Sequence, residues 1–277
     1  MSQILTTHIK TSPRIVIDYA GNGPLVVFLH GIGGNRSNWR EQLEALSDSY
    51  LCVAVDLRGY GQSDDYEGPL AFSDFNDDVA RVIQHFDRDA AHLVGLSMGG
   101  LIAQNFYRLH SSKVLSLTLA DTRNKFVRHN NEEFLRRREA PLLAGQTPAD
   151  IAPSLAPTLA SPQAALSIVK RLEQSIAALH KESYLKTLRA TTLVPESNEF
   201  RGLSNFVDPA TVNVPTLVIC GTEDTVTPPA LSQELAADIS GATLALIEGA
   251  GHLSNIENPD VFNNALRQFL QSQKSHS

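Results

Sequence analysis

The chain has 277 residues, 42% hydrophobic and 19% charged, with 17 glycines and 14 prolines; this is ordinary globular composition and excludes collagen-like, disordered and disulfide-scaffold classes. At roughly 100–200 residues per domain, the length suits one large domain or two small ones with a sizeable core. With 23 Lys and Arg against 30 Asp and Glu, the formal net charge is −7, so nothing draws the whole molecule to nucleic acid or anionic lipid, and a small neutral or weakly charged ligand fits better.

Residues 1–14 (MSQILTTHIKTSPR) carry neither an apolar signal core nor a small-residue cleavage pattern. No run approaches the about 18 consecutive apolar residues of a membrane span, so the expectation is a cytoplasmic protein without a membrane partner. Ile4–Lys10 and Arg14–Tyr19, parted by Ser12-Pro13, read as an opening hairpin. Leu25–Leu29 (LVVFL) is continuously apolar, as a parallel strand buried on both faces must be. A glycine loop follows, His30-Gly31-Ile32-Gly33-Gly34, and then a helix over Ser37–Leu46 in which Trp39 is a packing residue. Asn35-Arg36-Ser37 matches a glycosylation acceptor, which without a secretory signal reads as chance.

The alternation continues with strands Leu51–Val55, His92–Val94 and Val114–Leu119 and helices Ser73–Phe86 and Met98–Leu109. It resumes later with strands Thr216–Cys220 and Thr243–Ile247 and helices Pro229–Ile239 and Pro259–Leu270. In the last, Val261, Phe262, Ala265, Leu266, Phe269 and Leu270 form one apolar stripe. Cys52 and Cys220 each lie in an apolar run, so they read as two buried strand thiols rather than a staple or a metal pair. Between residues 123 and 212 strands vanish, and Pro141, Pro148, Pro153, Pro157 and Pro162 cut the segment into short helices. The prediction is therefore α/β: a mostly parallel, eight-stranded sheet with helices on both faces, its core formed by residues 1–122 and 213–277, and a helical cap over 123–212 inserted after the sixth strand. Arg136-Arg137-Arg138 within the cap, flanked by Glu132, Glu133 and Glu139, reads as a solvated helix face, with an anionic substrate group as the alternative partner.

The sharpest chemical signal is Gly95-Leu96-Ser97-Met98-Gly99, set between a strand and a helix. A serine on a tight strand-to-helix turn needs neighbours without β-carbons, and such a turn presents the hydroxyl at a helix N-terminus. A hydroxyl needs a base. His252 follows the strand Thr243–Ile247 through the small-residue loop Glu248-Gly249-Ala250-Gly251, at a strand's C-terminal end where ligand sites of open sheets gather. The remaining histidines sit in surface, terminal or element-boundary segments, apart from His30, which reads as a tie for its own loop. For the acid that orients the base, Asp224 is favoured over Glu223 and Asp121 because it gives the chain order Ser, Asp, His. The N–H groups of Met98 and Ile32 are the expected oxyanion donors.

These motifs resemble the α/β-hydrolase superfamily over essentially the whole chain. Gly95-Leu-Ser-Met-Gly-Gly-Leu101, Cys220-Gly-Thr-Glu-Asp-Thr-Val-Thr-Pro-Pro229 and Gly251-His-Leu-Ser-Asn-Ile-Glu257 together are similar to those of 3-oxoadipate enol-lactonases, whereas the His30-Gly31-Ile32-Gly33 loop has the form common in esterases. The resemblance implies a hydrolase that cleaves a small ester or lactone through an acyl-serine, without metal or organic cofactor. A general short-chain carboxylesterase, a carbon–carbon bond hydrolase and a perhydrolase use the same scaffold and stay open, as does a homodimer. Two other function classes compete for the same residues. A dinucleotide-binding unit at Gly31–Gly34 fails because its third glycine would fall at Arg36. A catalytically silent binding fold is disfavoured by candidates for all three reacting side chains.

Overall fold

The computed structural model describes residues 2–124, 128–192 and 207–274. Eight strands form one sheet: β1 (Leu5–Ile9), β2 (Ile15–Ala20), β3 (Leu25–Leu29), β4 (Leu51–Val55), β5 (Ala91–Leu96), β6 (Val114–Ala120), β7 (Thr216–Gly221) and β8 (Thr243–Ile247). Their order across the sheet is β1-β2-β4-β3-β5-β6-β7-β8. β1 and β2 pair antiparallel, β2 lies antiparallel on β4, and every later pairing is parallel. The fully apolar runs LVVFL and LCVAV become the wholly buried strands β3 and β4, while the edge strand β8 leaves Leu246 exposed. Both cysteines are free and buried on strands, as expected.

The core helices are α1 (Arg40–Leu46), α2 (Ser73–His85) and α3 (Met98–His110). Between β6 and β7 lie α4 (Arg128–Leu143), α5 (Pro148–Leu155), α6 (Leu166–Ala177) and α7 (Lys181–Thr192), which make up the helical cap. After β7 come α8 (Pro229–Asp238), the single turn α9 (Ser254–Glu257) and α10 (Pro259–Lys274). The expected helix over Ser37–Leu46 divides into a 3-10 turn, Arg36–Trp39, and α1. Asn35 and Asn38 cause the division: Asn35 Oδ1 accepts from the Ser37 N–H at 2.9 Å and Asn38 Oδ1 from the Asn35 N–H at 2.7 Å, closing a capping box that tightens the first turn. Trp39 is fully buried against Phe28, with ring centroids 5.1 Å apart, so its packing role holds.

Register is what positions the site. Leu29 pairs with Gly95, Leu96 with Ala120, Ala120 with Ile219, and Gly221 with Ile247. Strands about 4.8 Å apart therefore release their chains side by side at one sheet edge, at residues 30, 97, 121, 222 and 248. The cap is pinned over that edge. Arg171 of α6 pairs with Glu41 and donates to the Ser37 carbonyl at 2.8 Å, Ser183 of α7 donates to Asp65 at 2.6 Å, and Lys186 donates to the Tyr66 carbonyl at 2.8 Å.

Candidate active site

Ser97 sits where β5 turns into α3, with φ 53° and ψ −115°. A non-glycine residue in that region is strained, and strain of this kind persists only where its surroundings over-determine it. Two glycines make the turn possible. A β-carbon at Gly95 would fall 2.2 Å from the Gly99 carbonyl oxygen, and one at Gly99 would fall 2.0 Å from the Leu29 oxygen. The Ser97 N–H donates to Ala120 O at 2.9 Å, and its carbonyl accepts from Thr122 Oγ1 at 2.7 Å. Because the atom facing Gly99 is backbone of the central strand β3, it cannot step aside. Gly99→Ala should cost about 3 kcal/mol or more, lowering Tm by about 6–12 °C; an unchanged melting curve would show that the helix can shift away freely.

The expected base and acid meet this serine. His252 Nε2 lies 2.9 Å from Ser97 Oγ, and His252 Nδ1 lies 2.9 Å from Asp224 Oδ2. The carboxylate only accepts, so Nδ1 carries the proton and Nε2 is free to accept from the hydroxyl. Asp224 is held by the Val226 and Thr227 N–H groups at 2.8 and 2.9 Å on Oδ1 and by Thr227 Oγ1 at 2.6 Å on Oδ2. Thr227 went unnoticed in the sequence, although Asp224 followed by two threonines is the composition of an Asx-type turn. Burial disfavours the charged forms of both partners. The Asp224–His252 attraction and hydrogen bonding overcome it, so the His252 pKa is raised and that of Asp224 lowered.

The two rival acids are elsewhere. Glu223 is exposed. Asp121 is fully buried with φ 45°, and accepts from the Gly221 N–H at 2.8 Å and from Ser254 Oγ at 2.5 Å. It thus ties the start of the acid-bearing loop to the residue two beyond His252. Burial, together with the charge of Asp224, pushes its carboxyl well above the usual carboxylate range. Asp121, Cys220 and Asp224 bring potential ligand atoms within 4.8 Å of one another, the one such group among the described residues. The carboxylate oxygens there already accept N–H and O–H donors, so the group reads as a hydrogen-bonded hub.

The glycine loop after β3 is locked from the opposite side. His30 Nε2 accepts from the Leu57 N–H at 3.2 Å, which leaves the proton on Nδ1 to donate to Gly31 O at 2.8 Å. Burial holds the His30 pKa down, in keeping with a neutral ring. Gly34 N–H donates to the same oxygen at 3.0 Å. In a trans peptide the N–H points opposite to the C=O, so anchoring the Gly31 carbonyl aims the Ile32 N–H away from His30. Ser175 of the cap donates to Gly33 O at 3.0 Å and accepts from Asn35 Nδ2 at 3.1 Å, a brace that nothing in the sequence announced. Met98 is the first residue of α3, where N–H groups lack intrahelical acceptors. Among the described residues neither the Ile32 nor the Met98 N–H donates to an acceptor, and both residues line the space beside Ser97.

A cleft opens over Ser97 and His252. Its walls are apolar, with Phe134, Leu159, Leu172 and Ile176 contributed by the cap. The solvated-face reading of the arginine run holds at Arg136 and Arg137, which are exposed, Arg137 pairing with Glu133. It fails at Arg138. That residue is half-buried and lines the cleft, because the helical turn separates it from its neighbours by about 100°. Glu132 lies outside the described side chains.

Comparison with known proteins agrees with this architecture. A family model described as the alpha/beta hydrolase fold matches residues 24–259. 3-Oxoadipate enol-lactonase 2 of Acinetobacter baylyi is 28% identical over 268 residues, covering 94% of this chain and 95% of the relative. Among solved structures, a thermophilic esterase from Thermogutta terrifontis superposes with a TM-score of 0.83 at 27% identity, covering 98% and 99% of the two chains. The enol-lactonase from Burkholderia xenovorans superposes with a TM-score of 0.78 at 25% identity, covering 96% and 100%.

Proposed function

The chain belongs to the α/β-hydrolase family, and from that premise we propose that it cleaves carboxylic esters or lactones through an acyl-enzyme on Ser97, an enol-lactone such as 3-oxoadipate enol-lactone being the foremost candidate substrate. One observation carries the reading: the imidazole of His252 spans the Ser97 hydroxyl and the Asp224 carboxylate with 2.9 Å on either side.

In this mechanism Ser97 Oγ attacks the carbonyl carbon while Nε2 of His252 takes the hydroxyl proton. Asp224 holds the ring in the productive tautomer and stabilises the imidazolium. The carbonyl oxygen, now negative, faces the N–H groups of Met98 and Ile32, each worth about a hundred- to a thousandfold in rate where such donors have been removed from other hydrolases. The tetrahedral adduct collapses, the C–O bond to the leaving group breaks, and His252 returns the proton to the departing oxygen. Water then attacks the acyl-serine under the same base and the acid is released. With a lactone the leaving oxygen stays tethered to the acyl chain, so one product emerges. With an enol-lactone the leaving group is an enolate, which ends as a ketone.

The similarity to enol-lactonases and to an esterase supports the substrate class, and the apolar cleft supports a small organic acyl group. The test is a panel of enol-lactones, saturated lactones, short aryl esters and long-chain esters ranked by kcat/KM, with labelling by a fluorophosphonate followed by peptide mapping. Turnover of an ester or lactone and an adduct on Ser97 are expected. An adduct on another residue, or turnover confined to substrates without an ester bond, would sink the assignment.

A further inference from the structure

The cap is fastened directly to the loop that carries His252. The His252 N–H donates to the Leu159 carbonyl at 2.9 Å. A single carboxylate closes the same junction: Glu257, the last residue of α9, accepts from the Gly251 N–H at 3.0 Å on Oε1 and from the Ser161 N–H at 2.9 Å on Oε2. Three residues of cap chain, 159–161, therefore lie against Gly251 and His252. The approach is too close for a side chain at residue 251, where a β-carbon would fall 2.5 Å from the Ser161 nitrogen and 2.7 Å from the Ala160 carbonyl carbon.

Gly251 and Ser161 are both buried, and among the described residues neither N–H has another acceptor. A buried N–H without an acceptor is costly, and a carboxylate holds such a donor more tightly than a neutral oxygen does. Glu257 is itself fixed, since its own N–H donates to Leu253 O at 3.0 Å. It does not line the cleft. The backbone of the base is thus gripped on both sides, Ser254 by Asp121 and Gly251 by Glu257. The reacting contacts of His252 are 2.9 Å on either side of the ring, and a misplacement of about 1 Å can cost about a hundredfold in rate. We propose that Glu257 is a positioning residue: by joining Gly251 to the cap at Ser161, its carboxylate fixes the backbone from which the His252 imidazole reaches Ser97. This rests on the Ser97 acyl-enzyme reading above and adds to it a group that touches neither substrate nor the reacting atoms.

Glu257→Gln separates positioning from packing. The amide has nearly the same volume as the carboxyl, but its NH2 only donates, so one of the two N–H groups loses its acceptor. The experiment measures kcat and KM on the best ester or lactone, well below the melting transition, for the native protein and Glu257→Gln. It also records the NMR signal of the His252 Nδ1 proton in protein labelled with 15N-histidine, assigned by its loss in His252→Gln. A misaimed base slows chemistry rather than substrate capture, so kcat should fall about ten- to a hundredfold with KM close to native, and the Nδ1 signal should shift or broaden. Native kcat, a loss carried by KM alone, or a fall in kcat with an unmoved Nδ1 signal overturns the proposal. Should Glu257→Gln not fold, hydrogen exchange on the native protein decides: the Gly251 and Ser161 amides should exchange slowly and together, and exchange as fast as that of exposed loop amides would end the idea. Should no ester or lactone be hydrolysed, the acyl-enzyme reading falls, while an Nδ1 signal displaced in Glu257→Gln would still support the positioning role and an unmoved one would remove it.

Discussion

Ser97→Ala is expected to lower kcat by about a millionfold on whichever ester proves the best substrate, His252→Ala by a similar factor, and the double variant by no more than either alone. In the proposed mechanism the two groups act as one unit: a hydroxyl without its base is a poor nucleophile, and a base without the hydroxyl has nothing to activate. The residual rate would come from binding and from the Met98 and Ile32 N–H groups. Alanine at 97 keeps the β-carbon that the φ 53° turn already tolerates, so the fold should survive with an unchanged melting curve. Factors that multiply in the double variant would mean that Ser97 and His252 serve separate steps, and near-native turnover of Ser97→Ala would remove the nucleophile altogether.

Much of this was legible in the sequence because single-residue chemistry and local backbone geometry coincide at the elbow. Gly95 and Gly99 are glycines because backbone oxygens lie about where their β-carbons would be, and a tight strand-to-helix turn demands that in any sequence. The parallel strands were readable for an equally local reason, since LVVFL and LCVAV can only be buried on both faces. What could not be read depends on which side of a helix meets which distant loop. Ser175 bracing Gly33 joins residues 142 positions apart. Arg138 turns inward while Arg137 stays out, a difference set by the way α4 docks on α7 and not by any property of three consecutive arginines. Asp121 was readable only as a rival acid at a strand end; its burial and its partners, Gly221 and Ser254, come from loops that only the sheet register brings together.

Asp224→Asn should lower kcat by about ten-thousandfold, through the tautomer of His252 rather than through loss of binding. The oxygen now at Oδ1 accepts two backbone N–H bonds, from Val226 and Thr227, and in the variant the amide oxygen will keep that place. The amide NH2 then occupies the Oδ2 position, 2.9 Å from His252 Nδ1. Two N–H donors cannot face each other, so Nδ1 must become the acceptor and the ring proton moves to Nε2, where it blocks acceptance from Ser97. The pH profile carries a second signature. The proposed mechanism needs neutral His252, and its pKa is raised because Asp224 overcomes the opposing effect of burial, so native kcat/KM should fall in acid with a midpoint above the ordinary histidine value of about 6.5. Removing the carboxylate leaves burial and the Arg138 charge, which both lower that pKa, opposed by whatever charge Asp121 retains. The acid limb of the residual activity should therefore move to lower pH. A loss of only about tenfold with an unmoved limb would mean that another carboxylate orients the imidazole, and Asp121→Asn in the same background would then identify it.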